Sequence, residues 1–519
     1  MVAPRNATLM MTRALELLAL SAAAASLSYA LVTGSARRHY DVDEIQHAHV
    51  MWRISVGDRP FHDFVESHPP FVWYLGAPLV KAIPSPADAL RVLRGLATLC
   101  GLVFVGLLLA CVRARQSALT LPWLAAGGLL VLCHRSTLDY FVEARPDSLA
   151  YGLLFGAFVL FLRGQPPRPF ARYATFAFLA STALLSTPKF ALLVVAFAAA
   201  ELILHRRSAG AAGIALAGHA TGIGLAVAGA LVFLGVAGID PLLAYDLAIG
   251  FHGRFLATTS FSHGLWRSIT AQPVPLGLVC AGVLAWIALV ATRRIRPAPF
   301  ELGALLFLAT TPFLMPLPYK QYFAPWFALS AVFIPFLGLG LRQVSDEGAR
   351  LTAVALLAFA AFSTWRVGSD YARADQAGFF RLAWELMQAA AVPGGRVVAD
   401  PQWHPVYRRD VFYGWFSTFD PGGRNQERIL REWNPRGYGA RFTGEGYRHE
   451  LDQNPPALIV TVGDGFNLPA TQEAVVARYV REHRGEYLGV PLAGKLGLLV
   501  RRDQANWKYL QAAGHALRP

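Results

Sequence analysis

The chain has 519 residues, 55% of them hydrophobic and 15% charged, with a mean hydropathy of +0.39. Soluble globular proteins carry about 25% charged residues, so this balance excludes a soluble enzyme, and with it disorder, coiled coil and collagen-like repeats. The formal charge of +14, from 47 Lys and Arg against 33 Asp and Glu, would suggest nucleic acid only if the excess were not explained by topology.

A hydrocarbon core of ~30 Å needs about 20 apolar residues as helix. About eleven stretches approach that length, near 14–33, 92–112, 117–133, 148–162, 172–187, 190–204, 211–237, 274–291, 299–316, 322–341 and 351–366. The first follows Arg5 and Arg13 and ends in Ser28-Tyr-Ala30, in the manner of a signal peptide. With so many spans after it, an uncleaved helix is the reading adopted.

The first connection, 34–91, is dense in ionisable groups: Asp41-Val-Asp43-Glu44, His47, His49, Arg53, Asp58, Arg59, His62, Asp63, Glu66 and His68. Ile45, Ala48, Trp52 and Val56 recur at helical spacing, which predicts an amphipathic helix over 43–56 lying on the membrane surface. Asp41, Asp43 and Glu44 then sit at or just before its first turn. Each acid taken alone is explained as a helix cap. Phe71-Val-Trp-Tyr-Leu75, after His68-Pro69-Pro70, reads as a second interfacial element.

With the N-terminus inside, the basic clusters Arg113 and Arg115, then Arg163, Arg168 and Arg172, then His205-Arg206-Arg207, then Arg293, Arg294 and Arg296, then Arg342 and Arg350 all fall on the cytoplasmic side. The opposite face holds Arg145 in Glu143-Ala-Arg-Pro-Asp147, Lys189 in Ser186-Thr-Pro-Lys189, Lys320 in Pro316-Leu-Pro-Tyr-Lys-Gln-Tyr322, and Arg254 and Arg267 in the loop 239–272. Boundary cations of this kind snorkel to headgroups or mark a site. Lys189 and Lys320, in tight Pro-containing turns on the acid-rich face, favour a site.

An odd number of spans puts the tail outside. Residues 370–519 carry 19 Lys and Arg against 16 Asp and Glu, leaving 28 against 17 in residues 1–369. The basic excess therefore belongs to the membrane half, and nucleic acid drops out as a partner. The tail reads as a small α/β domain, with a helix over 373–390 and buried strands at Arg396–Asp400, Ala457–Val462 and Leu496–Val500. Cys100, Cys111, Cys133 and Cys280 all lie in or at the ends of apolar runs, without metal or redox spacing.

Acids and cations gathered at one interface suit a reaction in which a base takes a proton from an acceptor while cations stabilise a departing phosphate. The run Asp43-Glu44, Gly57-Asp58-Arg59-Pro60, Asp63-Phe64 and His68-Pro69-Pro70 resembles the first outer loop of GT-C superfamily glycosyltransferases, the branch of aminoarabinose transferases and protein O-mannosyltransferases. Ala144-Arg145-Pro146-Asp147, Thr187-Pro188-Lys189 and Tyr319-Lys320-Gln321-Tyr322 are similar to later loops of that branch, so the resemblance covers roughly residues 10–340.

The resemblance implies a polytopic α-helical enzyme, with catalytic residues 1–369 and a soluble extracytoplasmic α/β domain over 370–519. The enzyme would sit in the inner membrane and move a sugar from a polyprenyl-phosphate donor to an extracytoplasmic lipid, glycan or protein, with inversion. It makes Asp43 the base, Glu44 its neighbour and Asp147 a second acid, with Lys189, Lys320, Arg145 and His68 on the donor phosphate. Glu66, Asp63, Tyr319 and Tyr322 would position acceptor or sugar. Many relatives have Lys-Pro-Pro where this chain has His68-Pro69-Pro70, so a phosphate contact there depends on the protonation of His68. No zinc spacing occurs. A divalent cation on Asp43 and Asp147, as in some members of the superfamily, is left open.

A transporter or flippase of an anionic or lipid-linked substrate is the alternative from another class. It requires paired halves and charges near mid-membrane, whereas here the ionisable loops gather on one face. Gly222-Ile-Gly224-Leu-Ala-Val-Ala-Gly229 lies inside an apolar span with the wrong spacing for a nucleotide loop, and helix packing explains it.

Overall fold

The computed structural model describes residues 3–512 except 117, 163–168, 188–190, 206–208, 252, 255–268, 271–272, 315–319, 415–423 and 493–494; of some helical residues, Lys320 and Tyr322 among them, only the backbone is described. Among the described residues each of the eleven apolar stretches is mostly helical, and the chain is a polytopic helical membrane protein. Helix α1 spans Ala3–Arg37, α2 Val42–Ser55, α3 Phe71–Ala82, α4 Pro86–Arg115, α5 Leu121–Leu132, α6 Arg135–Val142, α7 Pro146–Leu162, α8 Pro169–Ser186, α9 Ala191–His205 and α10 Ala209–Val236. After the short α11 (Pro241–Tyr245) come α12 (Pro273–Ala291), α13 (Pro299–Leu314), α14 (Lys320–Ser330), α15 (Ile334–Arg342), α16 (Asp346–Ala374) and α17 (Gln376–Ala390).

Among the described residues, six segments are long and apolar enough to cross a bilayer, in α1, α4, α10, α12, α14 to α15, and α16 to α17. The other five stretches are helices of 12 to 18 residues.

Small residues set the closest helix contacts. Gly222 of α10 lies against the α8 backbone, where an added Cβ would stand 2.1 Å from the Ala174 carbonyl oxygen and 2.7 Å from the Phe178 nitrogen. Gly218, one turn earlier, meets Tyr173 and Phe170 in the same way. This is the small-residue spacing that lets helices pack without an aqueous driving force. Gly222→Val therefore forces α8 and α10 apart and lowers stability by about 1–3 kcal/mol or more. Thermal unfolding in detergent checks this; an unchanged midpoint would count against the contact.

The C-terminal unit is a four-stranded sheet in the order β1-β2-β4-β3, with β1 Val397–Val398, β2 Leu458–Val462, β3 Tyr487–Pro491 and β4 Leu496–Arg501. β1 runs parallel to β2, and β4 is antiparallel to both β2 and β3. Alternation along the strands gives the sheet two covered faces. Leu458, Val460, Leu498 and Val500 pack toward α17, α2 and α3, while Ile459 joins Phe412, Tyr447 and Tyr479 on the other face. That second face is covered by α18 (Arg424–Trp433), α19 (Gly444–Gln453) and α20 (Ala470–Glu482). The tail ends in α21 (Trp507–Ala512), whose Leu510 packs into the first face.

The expected helix in the first loop forms as α2, one residue from its predicted bounds, but its surroundings differ from expectation. Ile45 and Ala48 are fully buried in one core with Trp73, Trp384, Met387 and the sheet. The apolar stripe meets protein rather than lipid, because the C-terminal unit closes over it. The opposite side of α2 is no more open, since Gln46, His47, His49 and Arg53 are also buried.

Candidate active site

The N-terminus of α2 is built by local sequence. Asp41 caps it, accepting from the Asp43 nitrogen, and Glu44 reaches back to the Asp41 nitrogen at 2.9 Å, completing a capping box. The Asp43 side chain is left outside this exchange.

Glu44 is completely buried and saturated. It accepts from Arg94 Nε at 2.8 Å and Nη2 at 2.7 Å, from Arg38 Nη1 at 3.3 Å, and from the Ala144 nitrogen at 2.9 Å. Burial works against its charge, yet the two guanidiniums overcome this and hold the carboxyl below its ordinary range. Arg94 also lies 4.1 Å over the Tyr40 ring and donates to the Arg38 and His39 carbonyls. Arg38 continues the network to Glu143 and to Asp139, and Asp139 accepts from the Tyr371 hydroxyl at 2.5 Å.

Arg145 completes the cluster. Its guanidinium contacts Asp43 Oδ2 at 2.5 Å, Asp41 Oδ1 at 3.2 Å and Glu143 Oε2 at 2.6 Å, and its side chain is 8% exposed. Asp41, crowded by burial and by Glu143, Asp43 and Glu44, is pushed up to about 6 even though Arg145 opposes the shift. Among the acids of the cluster Asp43 is the most open: its side chain is 32% exposed, against 23% for Asp41, 13% for Asp139 and 0% for Glu44 and Glu143. Its Oδ1 has no hydrogen-bond donor among the described residues.

Asp147, at the start of α7, feels the Arg145 charge and accepts from the Thr187 hydroxyl at 2.9 Å. That bond brings Thr187 to the same place. Lys189 and Tyr319, and the side chains of Lys320 and Tyr322, lie outside the described residues, as does Arg267. Arg145, expected on a phosphate, is instead occupied by three carboxylates.

One turn along α2 from Asp43, Gln46 donates to Glu66 at 3.0 and 3.2 Å, and Glu66 also bonds His68 Nδ1 at 2.9 Å. Trp73 Nε1 donates to His47 Nδ1 at 3.1 Å, and the His47 and His68 rings meet edge to face at 5.3 Å. Glu66, buried, thus orients the half-exposed His68. Asp63 lies apart from these groups, at the other end of α2, bound to the Arg59 nitrogen and His62.

Arg38, Arg94 and Gln46 are not among the candidates read from sequence, and His47 appears there only within the ionisable run of the first loop. Arg94 carries a signal, a cation inside an apolar span; Arg38 and Gln46 carry none.

One other cluster joins α2 to the C-terminal unit. Asp410 is buried between His49 Nε2 at 2.8 Å, His404 Nε2 at 2.8 Å and Arg53 Nη1 at 3.1 Å. Among the described residues this is the one group of three ligand atoms close enough for a metal. The chemistry does not fit an ion. His404 accepts the Val406 N–H at Nδ1, so its Nε2 carries the proton, and Arg53 already neutralises the carboxylate. At Asp43 and Asp147 an ion is also disfavoured, since the Arg145 guanidinium already pairs with Asp43 and its positive charge acts on Asp147.

Burial, with His49 adding to it and Asp410 opposing, pushes the His404 imidazole down to about 4. Unfolded, the ring takes a proton near 6.5, so between about 6.5 and 4 the unfolded chain binds the extra proton and stability falls as pH falls. Asp410 acts in the same direction at lower pH, because its carboxyl is held below the usual range despite burial. His404→Asn should therefore flatten the loss of melting temperature between pH 7 and 4.5 relative to wild type. Parallel curves would show that His404 does not carry that slope.

No family model matches the chain, and no characterised relative is detectably similar in sequence. Among solved structures, apo ArnT from Cupriavidus metallidurans superposes with a TM-score of 0.58 at 13% identity, over 92% of this chain and 96% of that one. Two archaeal oligosaccharyltransferase structures from Archaeoglobus fulgidus, one tethered to an acceptor peptide and one with an inhibitory peptide and a dolichol-phosphate, match at TM-scores of 0.49 and 0.48. Each is 13% identical over 86% of this chain and 69% of that chain. The likeness to ArnT extends over nearly the whole of both chains, and what it shows is a common fold.

Proposed function

We propose that this chain is an integral-membrane glycosyltransferase that moves a sugar from a polyprenyl-phosphate donor to an acceptor on the extracytoplasmic side. In this reading residues 1–369 form the catalytic part and residues 370–519 close over it. The observation that carries the reading is Asp43, the most open carboxylate of an otherwise buried network, set on a fold like that of ArnT.

Asp43 Oδ1 accepts the hydrogen of the acceptor hydroxyl. The acceptor oxygen bonds to the anomeric carbon as the bond from that carbon to the phosphate oxygen breaks, and the electron pair leaves with the lipid phosphate. Attack from the far side inverts the centre. Because Arg145 shares the charge of Asp43, the carboxylate chiefly orients the hydroxyl, and the proton moves late. Lys189, Lys320 and His68 neutralise the departing phosphate, with Glu66 orienting His68. Arg145, Glu44 and Asp147 are positioning residues, the first two through Asp43 and the third through the turn that carries Lys189.

The test is transfer by purified protein in lipid nanodiscs supplied with labelled polyprenyl-phosphate hexoses and pentoses, read by mass spectrometry. One donor should be consumed, with release of the polyprenyl phosphate. Movement of an intact donor between leaflets without cleavage would instead establish a flippase and overturn the assignment.

A further inference from the structure

At the far end of α2 from Asp43, about 15 Å away along the helix by its 1.5 Å rise per residue, the first loop and the C-terminal unit enclose a cleft of about 670 Å³. That size is within the usual range for small-ligand sites. Its lining mixes polar and apolar groups and comes from three places: Arg53 and Asp63 of the first loop, Arg396 and Tyr413 beside the sheet, and one face of α19, Glu445 included, with Arg441 just before it.

Much of the charge is cancelled internally. Arg53 is paired with Asp58 and Asp410, and Asp63 with Arg59. Arg396 and Arg441 are different, because neither has a carboxylate within ion-pair distance among the described residues. Among the described residues Arg396 donates to the Asp410 carbonyl alone, at 3.1 Å, and Arg441 lies over the Tyr413 ring at 4.4 Å. Arg396 is also crowded: burial and the like charges of Arg53 and Arg409 pull its pKa below the ordinary value. An anion placed there would relieve that repulsion. Glu450, whose carboxyl burial pushes up to about 7, accepts from the Tyr413 nitrogen at 3.1 Å. It lines the cleft with the two arginines, and burial weakens the charge with which it opposes an anion, while the exposed Glu445 is a second carboxylate of the lining. Gln453 and Asn454 at the end of α19 add uncharged donors and acceptors.

We propose that this cleft binds an acidic sugar unit, its carboxylate or phosphate held by Arg396 and Arg441 and its hydroxyls by Glu450, Gln453 and Asn454. Resting on the transferase reading above, it is the acceptor side of the enzyme: the acceptor is an acidic glycan, held at one end of α2 and glycosylated at the other.

Saturation-transfer NMR on the full-length protein in detergent tests this without donor or turnover, using glucuronic acid, glucose 6-phosphate, glucose and inorganic phosphate as probes. Both acidic sugars should bind at least tenfold more tightly than glucose and than inorganic phosphate. Arg441→Gln, at an exposed position with little risk to folding, should weaken them at least tenfold, and Arg396→Gln likewise. Asp43→Asn should leave binding unchanged. Binding of glucose as strong as that of the acids, phosphate binding as tight as glucose 6-phosphate, or full binding by Arg441→Gln would each overturn the proposal. Transfer observed without acidic-sugar binding removes the cleft and leaves the transferase reading standing. Binding without transfer from any lipid donor removes that reading, and the acceptor role with it.

Discussion

Asp43→Asn should reduce sugar transfer by about 10² to 10⁴-fold, the range associated with loss of a positioned general base. The fold should survive, because the Asp43 side chain is a third exposed and its loss leaves Arg145 with Asp41 and Glu143. Its place in the capping box is also untouched, since that exchange runs between Asp41 and Glu44. The asparagine keeps an oxygen that can face Arg145 but has no charge to draw the acceptor proton. The loss should therefore fall on kcat, with little change in the KM for the lipid donor. Comparison with Asp43→Glu sharpens the result: the longer carboxylate keeps the charge while shifting the oxygen, and partial activity is expected. If the asparagine variant keeps wild-type turnover with an unchanged melting temperature, Asp43 is a helix-terminal acid and nothing more.

The contrast between Asp43 and its neighbours shows what could be read from sequence and what could not. Three acids within four positions at a helix start look alike in one dimension. Helix capping accounts for Asp41 and Glu44, as the plain reading of such residues suggests. What separates Asp43 is the direction of its side chain relative to partners far away in the chain. Arg94 is 50 residues from Glu44 and Arg145 is 104 from Asp41, and no local spacing announces either pair. The apolar stretches were legible because lipid demands a continuous run of such residues.

The stripe Ile45, Ala48 and Trp52 was legible as a helix face, but not as a face against protein, since lipid and a protein core ask for the same residues. In the tail, the central strand Leu458–Val462 stood out as an apolar run, whereas β3, Tyr487–Pro491, did not. Its Gly489 and Pro491 weaken the local strand preference, and pairing with β4 is what makes it a strand. The cleft beyond Arg53 was invisible for a similar reason, because Arg53, Arg396 and Arg441 meet only after the tail folds back on the first loop.

That long-range network gives the largest expected effect on stability. Glu44→Ala leaves the Arg94 guanidinium, fully buried, without a carboxylate partner, and takes one of three from Arg38. Removing one member of a buried pair costs about 3–5 kcal/mol, because the remaining charge stays desolvated. The same carboxylate also ties together the end of α1, the start of α2, α4 and the 143–145 loop, through Arg38, the Asp41 nitrogen, Arg94 and the Ala144 nitrogen. Its loss should loosen the loop that carries Arg145, and so Asp43, together with the fold. A double-mutant cycle separates the pair from its surroundings. Arg94→Ala alone strands Glu44 with Arg38, while the combined Glu44→Ala and Arg94→Ala variant strands neither charge of that pair. The double variant should be less destabilised than the sum of the singles, with a coupling of about 1.5 kcal/mol or more. Thermal unfolding in one detergent provides all four measurements. Additive losses would mean that Glu44 and Arg94 act through separate contacts, and that the α2 N-terminus is held by the capping box and the apolar core rather than by this ion pair.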